Sequence, residues 1–157
     1  MGIKSFQGNH VGKANKKAEK ITVKDCMSKN MVLFTKDQSV IEVVEKLIKH
    51  RISGGPVVDK HKHVIGVISE GDCIKQISES RYYNMPMEDT SIEKYMSKEV
   101  DTMSPEINLF DAANRFLVSK RRRFPVVEND KIIGIVSQND ILRTALYLKG
   151  SSWKYGV

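Results

Sequence analysis

Two stretches of the chain repeat one hydrophobic rhythm. In the first, Val40, Val44, Leu47 and Ile48 recur at helical spacing, with Asp37 and Ser39 placed to cap the start. In the second, Leu109, Ala113, Phe116 and Leu117 do the same, and Pro105 with Glu106 suits the first turn of that helix. The run Met31–Phe34 ahead of the first helix reads as extended. Behind each helix come two short apolar runs. Val57–Val58 and Val64–Ile68 read as a hairpin across Asp59–His63, and Val126–Val127 with Ile132–Val136 as a tighter one across Asn129-Asp130. Ile74 with Ile77, and Ile141, Leu142, Ala145 with Leu146, predict a closing helix for each copy. The programme is β-α-β-β-α, run twice.

Residue identities repeat with the rhythm. Ile21–Ser28 returns as Ser91–Ser97, Gly55–Asp59 as Phe124–Glu128, and Gly66–Asp72 as Gly134–Asp140. The offset is 69 at Met27/Met96 and Pro56/Pro125 and 68 from Gly66/Gly134 onward, which places a one-residue deletion in the turn between the short strands. A unit of about 60 residues hides only ~60% of its unfolded surface, and its small sheet keeps an uncovered apolar face. Packing two units sheet to sheet covers both faces and leaves clefts about a pseudo-twofold axis. The expected class is α/β (α+β). The expected organisation is a tail (1–20), a first repeat (21–80), a linker (81–90), a second repeat (91–149) and a C-terminal tail (150–157).

Charge changes this picture little. The net charge of +7 over 157 residues is concentrated in residues 1–20, which carry +4 and almost nothing apolar. Such a segment reads as solvated, with a weak anchor for nucleic acid or an anionic surface as the alternative. No apolar run approaches the ~18 residues of a membrane span, and Met1–Lys20 lacks the core of a signal peptide. Two cysteines, Cys26 and Cys73, are too few for a disulfide framework and point to a reducing cytoplasm. No nucleophile triad, metal set, P-loop or dinucleotide fingerprint is present, so no catalytic residue is assigned and no enzyme is expected. His61-Lys62-His63 lies in a hairpin turn without a third ligand, and no metal site is assigned.

The duplicated carriers are Val23–Met27, the Pro56-Val57-Val58 and Pro125-Val126-Val127 strands, and the two Gly-x-x-Ser-x-x-Asp runs at Gly66–Asp72 and Gly134–Asp140. Together they resemble a cystathionine-β-synthase-type (CBS) domain pair, over about residues 21–149. The resemblance implies a stand-alone sensing module that binds AMP, ADP or ATP, with S-adenosylmethionine as a further ligand, in clefts between the repeats. Whether Mg²⁺ accompanies the nucleotide stays open, and no obligatory cofactor is implied. It also implies a homodimer formed through the helices. From the residues themselves, the absence of an apolar span, a helix-turn-helix signature and an aromatic stacking set leads us to expect no membrane partner and no nucleic acid, with an unidentified effector protein receiving the output. A ligand-free adaptor and a nucleic-acid-binding protein using the basic tail are the alternatives.

Ser69 with Asp72, and Ser137 with Asp140, stand where a strand gives way to a helix. They form capping boxes on a local reading. A helix start can also hold phosphate, and a carboxylate can accept both ribose hydroxyls. The family pattern assigns ribose to Asp72 and Asp140, and the ribose–phosphate junction to Ser69 and Ser137. Arg122 and Arg123, just before the strand proline, then meet phosphate oxygens. Their first-repeat counterparts, Ser53 and Gly54, are uncharged, so the cleft of Asp72 is expected to bind more tightly than that of Asp140. For the base, Ile21, Thr22, Val23 and Gly55 are candidates on one side, and Ile92 and Phe124 on the other.

Overall fold

The computed structural model of the protein describes residues 20–84 and 90–153. Its helices are α1 (Val23–Cys26), α2 (Val40–His50), α3 (Glu70–Tyr83), α4 (Leu109–Ser119) and α5 (Gln138–Trp153); the strands are β1 (Gly54–Val58), β2 (Val64–Ser69), β3 (Arg123–Glu128) and β4 (Lys131–Ser137). A 3₁₀ turn lies at Ile92–Lys94. Strand β1 pairs antiparallel with β2, and β3 with β4, giving a mixed α+β fold with two small sheets among the described residues. None of these helices is long and apolar enough to cross a membrane. Residues 1–19, 85–89 and 154–157 lie outside the described residues, and α3 and α5 run to Tyr83 and Trp153, into the linker (81–90) and C-terminal tail (150–157) expected from the sequence.

The extended run Met31–Phe34 supplies one parallel bridge, Phe34 to Val57, in place of a strand. Its N–H donates to the Pro56 carbonyl (3.0 Å), and its carbonyl accepts from Val58 N (2.8 Å). A turn then closes directly, with Gln38 N donating to the Thr35 carbonyl (3.2 Å). Met103 repeats the arrangement against Val126.

The hairpins form where the pattern put them, and each carries a bulge at the same place, between Val57 and Val58 and between Val126 and Val127. Asn129 and Asp130 both adopt left-handed φ (50° and 64°), which is what a two-residue hairpin turn requires and what these residue types tolerate. The first loop is longer. There Asp59 Oδ1 accepts from the N–H groups of His61 (2.8 Å) and His63 (3.0 Å). The His63 N–H above all, helped by that of His61, holds the Asp59 carboxyl below its ordinary range. The His61–His63 segment thus closes a loop.

Helix starts differ in detail from the expectation. Ser39 caps α2 in a reciprocal box with Glu42, leaving Asp37 outside, and Asn108 caps α4, so Pro105 and Glu106 precede that helix. Arg51 and Lys120 end α2 and α4 in the same left-handed conformation, 69 residues apart. The buried faces are Val40, Val43 and Leu47 on α2, and Leu109, Ala112 and Phe116 on α4. Ile48 and Leu117 point outward instead, as do Ile74, Ile77, Leu142 and Leu146 on the closing helices.

The two cores do not follow the sequence repeats. Phe34, Val57, Ile68 and Cys73 of the first repeat pack with Ile92 and Met96, from the start of the second. Phe116, Phe124, Val126 and Val136 of the second pack with Val23, flanked by Ile21 and Met27, from the start of the first. Backbone bonds fasten both crossings: Ser28 and Ile135 exchange a pair (2.8 and 2.9 Å), and Ser97 and Val67 exchange the equivalent pair (both 2.9 Å). At each crossing a methionine lies over a glycine. A Cβ on Gly134 would come within 2.6 Å of Met27 Sδ, and one on Gly66 within 2.9 Å of Met96 Sδ.

Candidate functional site

Both Ser-x-x-Asp pairs are built as capping boxes. Asp72 Oδ2 accepts from Ser69 N and Oγ (both 2.9 Å), while Asp72 N donates back to Ser69 Oγ (3.3 Å). Asp140 Oδ2 accepts from Ser137 N (2.7 Å) and Oγ (2.8 Å), with Asp140 N donating to Ser137 Oγ (3.2 Å). All four residues are half-buried. Only one oxygen of each carboxylate is used, so Oδ1 of Asp72 and of Asp140 has no hydrogen-bond partner among the described residues.

The arginine run is held beside the start of α5. The backbone N–H of Gln138 donates to the Arg122 carbonyl and its side-chain amide to the Arg121 carbonyl (both 3.0 Å). The first repeat has the matching bond, Glu70 N to the Ser53 carbonyl (2.9 Å). Each tether brings the residues ahead of a proline strand to the mouth of the space between the sheets.

Two clefts open there. The first, of about 230 Å³, is lined by Ser69, Gly55, Asp101 and Arg121–Arg123, with Pro56 and Pro125 of the two sheets closing it. The second, of about 240 Å³, is lined by Ser137, Asp140, Arg123, Val32, Ile52 and Ile135. Both are slightly below the ~300–1,000 Å³ usual for small-molecule sites. Arg123, Gly54 and Ile135 border both, so the two spaces adjoin.

Of the residues singled out from sequence, Ser69, Gly55, Arg122 and Arg123 meet at the first cleft, and Ser137, Asp140 and Arg123 at the second. Asp72 stays in its cap and does not line the first cleft. The base contacts expected of Val23 and Phe124 are not made available. Both have no exposed surface, since they fill the second core, where Phe124 stands edge-on to Phe116 at 4.9 Å between ring centroids. Thr22 is likewise drawn away, bridged to Asn108 and bonded through its N–H to Asp25 (2.9 Å). Gly54 packs against the protein's own backbone, where a Cβ would lie 2.6 Å from the Ile68 carbonyl.

Val32, Ile52 and Asp101 were missed. Carrying the 69-residue offset through every position of the repeat would have paired Val32 with Asp101 and Ile52 with Arg121. Burial pushes the Cys26 and Cys73 thiols above the ordinary thiol value.

Comparison with known proteins follows the same duplication. The CBS-domain family model matches residues 23–79 and 92–147. The crystal structure of CBSX2 from Arabidopsis thaliana in complex with AMP is 30% identical, with a TM-score of 0.72, covering 82% of this chain and 98% of that one. The CBS domain pair of protein MJ0100, in complex with 5′-methylthioadenosine and S-adenosyl-L-methionine, is 28% identical with a TM-score of 0.66, covering 80% of this chain and 96% of that one. An uncharacterized protein of Methanocaldococcus jannaschii, MJ1426, is 28% identical over 87% of this chain and 98% of its own length.

Proposed function

Because the chain belongs to the CBS-domain family, we propose that it is a regulatory module that binds an adenosine-containing ligand in the seam between its repeats. The reading rests on one observation above all: a half-buried capped carboxylate with a free oxygen, an apolar wall and an arginine converge on one cleft, at Asp140, Val32, Ile52 and Arg123. A carboxylate suits ribose hydroxyls, an apolar wall suits a purine, and a guanidinium suits phosphate. The neighbours solved with AMP and with S-adenosyl-L-methionine support the same ligand class.

The module is a binder, with no step of covalent chemistry. Ligand contacts to both repeats bias their relative arrangement only in so far as one arrangement is bound more tightly. The signal then passes to an effector protein. Association of two copies through the outward apolar helix faces supplies a second route for it. The free Cys26 and Cys73 suit a reducing compartment, and we place the module in the cytoplasm.

A thermal-shift and calorimetric panel of AMP, ADP, ATP, S-adenosylmethionine and GTP, with and without Mg²⁺, tests the reading. At one hundred times Kd a ligand stabilises the fold by about 2.7 kcal/mol, so an adenosine compound should raise the melting temperature by several degrees. A flat panel would replace the reading with that of a ligand-free adaptor.

A further inference from the structure

The two clefts are related by the repeat, and their walls can be compared position by position. Ser137 corresponds to Ser69, Ile135 to Val67 and Arg123 to Gly54. The wall that the other repeat contributes is where they part. At the Asp140 cleft it includes Val32 and Ile52, both apolar and half-buried, beside Ser28 and Asn30. At the Ser69 cleft the same positions are Asp101 and Arg121, and these two form an ion pair.

That pair is still hydrated, with 52% of the Asp101 side chain and 41% of the Arg121 side chain exposed. A purine laid against it would strip water from both charges and return no equivalent bonds. Against Val32, Ile52 and Ile135 the same ring removes only apolar surface from water. The cationic side of the seam, in contrast, is shared: Arg123 borders both clefts, and Arg122 stands beside it. Arginines and apolar residues such as Pro56, Ile68 and Pro125 are more numerous at the Ser69 cleft, but only the Asp140 cleft offers an uncharged wall from the other repeat together with the aspartate of its own Ser-x-x-Asp pair.

Resting on the reading of an adenosine-binding module, we propose that each chain holds one nucleotide, in the Ser137–Asp140 cleft, and that the Asp101–Arg121 ion pair bars a base from the Ser69 cleft. Asp101 and Arg121 are specificity-determining residues in this account. Arg122 and Arg123 serve the phosphate of the single occupant from the neighbouring space.

Isothermal titration of the full chain with AMP reads the stoichiometry. One AMP per chain is expected. Asp140→Ala should weaken it by about 30-fold or more, and Asp72→Ala by no more than about threefold. The double variant Asp101→Val with Arg121→Ile should take up a second AMP, and that second site should be lost on adding Asp72→Ala. Two equivalent AMP sites in the unaltered chain, or full affinity in Asp140→Ala, would overturn the proposal. A double variant that melts like the parent yet still binds one AMP would overturn it too. The stoichiometry and the two single variants decide the matter even where the double variant fails to fold. Binding of no adenosine compound to the unaltered chain would instead overturn the functional reading itself.

Discussion

Asp72 and Asp140 make the same three hydrogen bonds, yet only Asp140 lines its cleft. Cap strength and ligand contact are therefore separable. Replacing either residue with alanine removes the reciprocal half of a capping box, and urea denaturation should show a similar loss for both, about 1 kcal/mol. A loss confined to Asp140→Ala would mean that the Asp72 cap is not held in solution. At this scale the Ser-x-x-Asp pairs were legible in the sequence, because serine and aspartate three apart at a strand–helix junction interact locally. Val32 and Ile52 were not legible, since they reach Asp140 only through the packing of one repeat on the other. Phe124 and Val23 misled for a related reason: residue type does not distinguish an apolar wall of a cleft from an apolar core.

Each sheet is locked to the leading segment of the opposite repeat by a glycine under a methionine. A Cβ on Gly134 would meet Met27 Sδ at 2.6 Å and the Ser28 carbonyl at 3.0 Å; one on Gly66 would meet Met96 Sδ and the Ser97 carbonyl, both at 2.9 Å. The thioether can swing aside, but the carbonyl belongs to the paired backbone. Gly66→Ala and Gly134→Ala should each destabilise by about 1–3 kcal/mol, as overpacked cores do. Adding Met96→Ala or Met27→Ala should recover only part of the loss, and a double-mutant cycle by denaturant unfolding measures the share. Full recovery would place the whole conflict on sulfur. The elements themselves were legible because periodicity marks a helix well. It marks the buried face less well when apolar residues cover both sides. Val43 and Ala112 join Val40, Leu47, Leu109 and Phe116 on the buried faces, Val44 only flanks the core, and Ile48, Ala113 and Leu117 are exposed.

Those outward residues come in repeat-related pairs across the whole molecule. Ile48 and Leu117 are 72% and 79% exposed, and Ile74 and Leu142 are 64% and 67% exposed, each pair at the offset of the duplication. Apolar side chains collected this way on the helix faces suit a second copy of the chain better than water. Sedimentation velocity at micromolar concentration should therefore find a dimer, which Leu117→Glu combined with Leu142→Glu reduces to monomer without changing the helical circular dichroism. A monomeric parent would remove this interface. The sheet-to-sheet plan was legible from the duplication, but the path of the chain was not, because both copies contain every element a self-contained unit needs. Val23, with Ile21, Cys26 and Met27 around it, belongs physically with the second core, and Ile92 and Met96 with the first. A half-length polypeptide would consequently have nobody to lend it a leading arm, and two such molecules would have to barter theirs. Fusing them head to tail replaces that chance encounter with a tethered one, at an effective concentration of the order of millimolar for a short linker.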